Sequence, residues 1–190
     1  KVRELAILNN GKEIEPSLPK IMRAKPFVPP NSMLGPNGER WVPIHAIVPH
    51  SRAKDLMELV HDFFDQYSEI LEKYQIEWGY LLATISNQGF LMEPVFFWRD
   101  SRYLFHERYL ADDYLKKLNK FDENIPAREA VSDIREKLSF KFMEFGAVHF
   151  QIGKSYKYKE GKDKASWEFL KSLKKILDPK GLVNPGSLGL

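Results

Sequence analysis

Cysteine is absent from the 190 residues. That excludes a disulfide framework, thiol catalysis and thiolate metal ligation, and it fits a reducing, cytoplasmic setting. Apolar runs long enough to span a bilayer are missing, as is a basic-then-apolar start of the signal-peptide kind. Charge of one sign is also scarce: 29 basic residues stand against 26 acidic ones, a net +3, too mild an excess to call for nucleic acid. There is no glycine-rich phosphate loop of mononucleotide or dinucleotide spacing, no HExxH and no nucleophile elbow. His45, His50, His61, His106 and His149 are scattered without ligand spacing beside a carboxylate, so no metal is expected. The chain opens on Lys1 rather than Met, as expected of a piece of a longer chain.

What is present is enough for a core, with 43% hydrophobic residues. Residues 1–40 hold Pro16, Pro19, Pro26, Pro29, Pro30 and Pro36 and read as an extended lead-in or domain linker. "WVPIHAIVP" (41–49) reads as a strand, with Ser51 placed to cap the helix after it. Ala53, Leu56, Val60, Phe63, Tyr67, Ile70 and Tyr74 form one helical stripe. Strands over 76–86 and 90–99 are joined by a turn for which Asn87 and Gly89 supply the backbone freedom, and Pro94 implies that the second strand is an edge or is bulged. A second helix starts at Pro126, with Ala127, Val131, Ile134, Leu138 and Phe142 as its stripe. "GAVHFQIG" (146–153) reads as a strand, and a helix from about Lys164 carries Trp167, Leu170, Leu173 and Leu177. This order predicts an α+β fold, an antiparallel sheet with helices on one face in a split βαβ (ferredoxin-like) arrangement.

Alternation along 147–152 puts Val148, Phe150 and Ile152 on a core face and Ala147, His149 and Gln151 on the other. Lys154 and Tyr156 follow, adding a cation and a phenol near the same strand end. That face is either solvated or the wall of a polar pocket. The loop "FFWRDSRYLFHERY" mixes Trp98, Arg99, Arg102, Tyr103, His106, Arg108 and Tyr109. Such a mixture is either a solvated edge or a surface for an anionic or aromatic ligand or another protein.

The tail, "KKILDPKGLVNPGSLGL", is too rich in Pro and Gly for a long helix or a strand, yet it keeps Leu182, Val183, Leu188 and Leu190. With "WEFLKSLK" before it, it resembles the carboxy-terminal end of FAD-linked oxidases of the vanillyl-alcohol oxidase and 4-cresol dehydrogenase type, which close on DPxGxxNPG. "WVPIHAIVPHSRA" and "GAVHFQIGKSYKY" are similar to the entry of that family's cap domain and to the strand near its active site. The resemblance covers roughly 36–190. It implies a lead-in or linker over 1–40, a substrate-binding cap domain over 41–177, and a tail over 178–190 that returns to an FAD-binding domain of the same parent chain.

The implied function is oxidation of an alcohol, 2-hydroxy acid or phenolic substrate by hydride transfer to FAD. The cofactor would be bound non-covalently and mostly outside this chain, since "NGERW" has neither His nor Tyr for a covalent link. His149 is the implied general base, Gln151 would orient, Lys154 and Tyr156 would bind substrate, and Asn184, Pro185 and Gly186 would contact the cofactor or its domain. "EFGAVH" lacks the Tyr-Arg pair that holds phenolates in several relatives. The surface left uncovered would favour self-association. The competing reading is a non-catalytic α+β module that binds a ligand or a protein.

Overall fold

The longest strand lies in the middle of the sheet although it carries a proline. The computed structural model describes residues 1–27, 30–151 and 153–190, and they fall into two units, Lys1–Ser32 and Met33–Leu190. In the second, β1 (Arg40–Pro43) and β2 (Ala46–Pro49) both pair antiparallel with β4 (Gly89–Trp98), and β3 (Glu77–Ile85) pairs with its other edge. Pro43 faces Val95 and Ala46 faces Met92, so β1 and β2 keep one register with no bulge. They are a single edge strand interrupted at Ile44–His45.

Pro94 is the cause. Ile44 N–H donates to Pro94 O at 2.9 Å, but the return bond needs an N–H that proline lacks. The missing donor breaks the neighbouring strand instead of making β4 an edge, a correction to the expectation from Pro94. The order, with a further bridge from Ile47 to Val148, is that of the split βαβ arrangement with its fourth strand reduced to one pair. The α+β class holds.

Two helices cover one sheet face. α3 (Ala53–Gln66) buries Leu56, Val60, Phe63 and Phe64, and α7 (Ile125–Glu144) buries Ala127, Val131, Ile134, Leu138 and Phe142. These pack with Ile44, Ala46, Val48, Met92, Phe96 and Trp98 in one core. α7 starts as its sequence requires: Asn124 accepts from Ala127 N–H, and Pro126 sits in the first turn, where no intrahelical donor is needed. α3 does not start on a Ser51 cap. A short 3-10 turn covers His50–Arg52, and no side chain caps the helix. The expected single stripe to Tyr74 is broken at Tyr67, beyond which α4 (Ser68–Lys73) buries Leu71 while Ile70 is exposed.

In the β3–β4 turn the left-handed residue is Ser86, φ 55°, not Asn87 or Gly89. Short helices α5 (Leu104–Tyr109) and α6 (Asp112–Leu115) follow β4, and α8 (Lys164–Leu177) is capped by Asp163 accepting from Ser166 N–H. α8 buries nothing fully: Trp167 and Leu170 are half-buried, while Leu173 and Leu177 are exposed. In the first unit the prolines do not keep the lead-in irregular. α1 (Val2–Leu8) and α2 (Ser17–Ala24) form there, because Pro16 is the N-cap of α2 and Pro19 lies in its first turn, where proline removes no helical bond.

The core is pinned at the β4 end by Asp100, which is fully buried. Its carboxylate accepts from Arg128 Nε and Nη2, Arg40 Nη1, Trp98 Nε1 and the amides of Ser101 and Asn124. Burial alone would raise its pKa; these donors and the Arg40 charge overcome that and hold it at about 2.

Candidate active site

The interruption at Ile44–His45 builds the site. Ile47 and Val148 exchange both backbone bonds at 2.9 Å, so the next antiparallel pair in that register would be His45 with Phe150. It does not form. Side chains take its place: Phe150 N–H donates to His45 Nε2 at 3.2 Å, His149 Nδ1 bonds His45 O at 2.7 Å, and His45 N–H donates to Tyr156 Oη at 3.3 Å. This is why the described residues of 146–153 form no strand beyond the single bridge. It also overturns the expected faces: Val148 and Phe150 are more than half exposed, Ala147 packs against the core, His149 is half-buried, and Ile152 lies outside the described residues.

The donors fix the tautomers. An amide can only donate, so Nε2 of His45 is bare, and burial, helped by the nearby His149, pushes the His45 pKa down to about 4. The ring is neutral at pH 7 with its proton on Nδ1, where it donates to Tyr156 Oη at 2.6 Å. A carbonyl can only accept, so His149 carries its proton on Nδ1 and presents a bare Nε2. Burial lowers the His149 pKa, while its bond to His45 O works the other way. Tyr156 is raised by burial, against the His45 amide and the Arg135 charge, and so remains a phenol. With two N–H groups directed at its oxygen, its own proton has Gln151 Oε1 as acceptor, at a long 3.3 Å and at an exposed side chain.

A lone pair on His149 Nε2 and a weakly engaged Tyr156 hydroxyl therefore lie side by side, their ring centroids 4.2 Å apart. Phe150 stacks on His45 at 4.2 Å. The pair can take a proton from one oxygen and donate a hydrogen bond to another.

Of the sequence-predicted residues, His149, Gln151 and Tyr156 are brought together. Lys154 is exposed and sits elsewhere, against the tail: a Cβ built on Gly186 would lie 3.4 Å from its Cε and 3.6 Å from its Nζ. The tail turns through Asn184 (φ 46°) and Gly186 (φ 80°) and is tied back by Leu188 N–H donating to Gly153 O at 2.8 Å. Asp178 organises it, accepting from the amides of Leu182 and Val183 at 2.9 Å and from Lys174 Nζ at 2.6 Å. The hydrogen bond from Lys174 and those amides hold its carboxyl at about 2. Asn184, Pro185 and Gly186 are exposed, as are Leu182 and Val183, while Leu188 and Leu190 are half-buried.

Sequence reasoning missed His45 as a site residue, and Glu93. Glu93 projects from the sheet face opposite the helices, in continuing register with His45, and burial raises its pKa. The one readable signal was Pro94, which foretells a break without saying on which strand.

The family model "FAD linked oxidases, C-terminal domain" matches residues 152–188. That end of the chain is similar to this domain. The matched stretch holds Tyr156, α8 and the NPG turn, while His45, His149 and Gln151 lie before it. The family name implies an FAD-linked oxidoreductase as the context of this segment and FAD as its cofactor. No curated protein and no solved structure matches the chain. Among the described residues no helix is long and apolar enough to cross a membrane.

Proposed function

We propose that residues 41–177 are the substrate-binding cap of a flavin-dependent oxidoreductase of the vanillyl-alcohol oxidase type, and that 178–190 returns to its FAD-binding domain in the same parent chain. The substrate is an alcohol, 2-hydroxy acid or phenol, with the phenol disfavoured by Phe145 and Gly146 in "EFGAVH". The observation that carries this reading is the bare Nε2 of a neutral His149 beside the Tyr156 hydroxyl, in a chain whose end matches an FAD-linked oxidase domain.

The residues fit the flank of a flavin site. The sheet face bearing Glu93, Val95 and Phe97 lies outside the helix-covered core, with Leu81 on it half exposed, and the NPG turn is held in a fixed shape with its three residues exposed. Asn184, Pro185 and Gly186 would touch the cofactor or its domain; when bound, FAD would accept the hydride. His149 Nε2 takes the substrate hydroxyl proton. Tyr156 donates a hydrogen bond to a substrate oxygen, Gln151 orients that phenol, and Lys154 acts near the NPG turn on an anionic group. His45 fixes the tautomer of His149 through its carbonyl and orients the Tyr156 hydroxyl through its Nδ1–H.

The test uses the parent protein that contains this chain. Oxidised flavin absorbs at about 450 nm, and the reading expects that band in the parent and not in the isolated 190 residues. His149→Gln should keep the band while slowing its bleaching by substrate by about 100-fold or more. A stoichiometric flavin band on the isolated chain, or full-rate bleaching in the variant, would overturn it.

A further inference from the structure

A cavity of about 590 Å³, within the range of small-molecule sites, lies between β1, α7 and α5. His45, His149, Gln151 and Tyr156 do not line it. Its walls are mainly apolar and aromatic, among them Trp41, Phe105 and Val131, but three arginines also line it, Arg40, Arg128 and Arg135.

The three arginines are in different states. Arg40 and Arg128 share the buried Asp100, Arg40 also lies over the Tyr103 ring at 3.4 Å, and Arg128 has Glu123 at 3.5 Å. Arg135 donates only its Nε, to Pro43 O at 2.9 Å. Among the described residues no carboxylate lies within ion-pair distance of it. A half-buried cation that, among the described residues, has a neutral carbonyl as its hydrogen-bond acceptor and no carboxylate beside it is costly for a fold to keep, since the desolvation penalty is not returned by an opposite charge. Consistently, burial lowers its pKa.

The helix aims a set of donors at this place. Arg128, Ser132 and Arg135 are spaced by four and three residues along α7 and line the same cavity. A second hollow of about 210 Å³ meets Arg135 and Ser132 as well, and there Lys154 adds another cation, while Lys157 is already paired with Glu136 at 2.8 Å. Three guanidiniums against Asp100 and Glu123 leave one positive charge over in the larger cavity. One uncompensated charge among apolar walls suits a monoanion with an apolar body better than a phosphate dianion.

We propose that this cavity is a binding site for a small organic carboxylate, with the carboxylate on Arg135 and Ser132 and a ring-bearing or aliphatic body against Trp41, Phe105 and Val131. The His149–Tyr156 pair does not line it, although the Arg135 charge is felt at Tyr156, and the site stands whether or not the chain works beside a flavin.

The test titrates the 190-residue chain with phenylacetate and 2-naphthoate, with the matching amides and with inorganic phosphate, following thermal midpoint and amide chemical shifts. At least one of the two carboxylates should bind and raise the midpoint, while the amides and phosphate bind far more weakly. Arg135→Leu should weaken carboxylate binding by about tenfold or more, the loss expected for a charge-assisted hydrogen bond, while leaving the unliganded midpoint close to the original. Ser132→Glu at an exposed position provides an internal counter-ion three residues from Arg135; it should fold and block binding. His149→Ala should bind as before. Equal binding of acid and amide, unchanged affinity in both Arg135→Leu and Ser132→Glu, or no binding of either carboxylate would overturn the proposal.

Discussion

Nδ1 of His45 lies 2.6 Å from the phenolic oxygen of Tyr156, across 111 positions of sequence. The contact fixes which nitrogen of His45 carries the proton and directs the Tyr156 hydroxyl outward. Tyr156→Phe would leave the Nδ1–H and the backbone N–H of His45 without an acceptor in a buried place. The expected cost is about 1–3 kcal/mol, read from urea unfolding of the two proteins. A change below about 0.5 kcal/mol would mean that water replaces the phenol without loss.

Acidification should unfold the chain in two windows. His45 falls from 6.5 unfolded to about 4 folded, so its stabilisation is full above pH 6.5 and is lost as pH drops from there toward 4, by about 3 kcal/mol on simple linkage. The lowered His149 acts in the same direction. Asp100, at 3.8 unfolded and about 2 folded, stabilises fully above 3.8 and loses that contribution as pH falls toward 2. Urea midpoints measured from pH 8 to 2 should show both declines, and His45→Gln should flatten the upper one. A flat profile between 7 and 4 would contradict the neutral, buried His45.

Removing the carboxylate of Asp100 should be among the most damaging single changes. Asp100→Ala leaves Arg40 without its carboxylate and frees the amide that ties Asn124, the N-cap of α7, to the end of β4. The expected loss is about 3–5 kcal/mol, with Asp100→Asn in between. Calorimetry or denaturant unfolding measures it, and a loss under about 1 kcal/mol would show that the network does not hold the core.

Pro94→Val should close the gap between β1 and β2. The new amide would face Ile44 O, the missing half of a pair already joined by Ile44 N–H to Pro94 O. Hydrogen exchange at residue 94 should then be as slow as at its β4 neighbours. Rapid exchange there would mean that something besides the absent donor interrupts the strand.

In the tail, Asp178→Ala should speed amide exchange at Leu182 and Val183, both of which donate to that carboxylate. Leu188, anchored separately on Gly153, should be little affected. Uniform loss of protection from 178 to 190 would instead make Asp178 the anchor of the whole segment.

Periodicity alone placed the core helices, α7 in full and α3 as far as Tyr67. The stripe Ala127, Val131, Ile134, Leu138 and Phe142 is buried as spaced, because a long amphipathic helix has one way to hide that face. Local chemistry carried the Pro126 start of α7 and the existence of the hairpin, though not the left-handed residue of its turn, and the DPKGLVNPG run marked an irregular tail whose end matches a family pattern. The sequence could not say that Pro94 breaks its neighbour and not itself, since that depends on which edge its missing donor faces. Nor could it join His45 to His149, Gln151 and Tyr156, or leave Arg135 without a counter-ion while Arg40 and Arg128 share one. Those relations connect residues from 28 to 111 positions apart, and only packing brings such groups within hydrogen-bonding reach, where burial then sets their charge and tautomer.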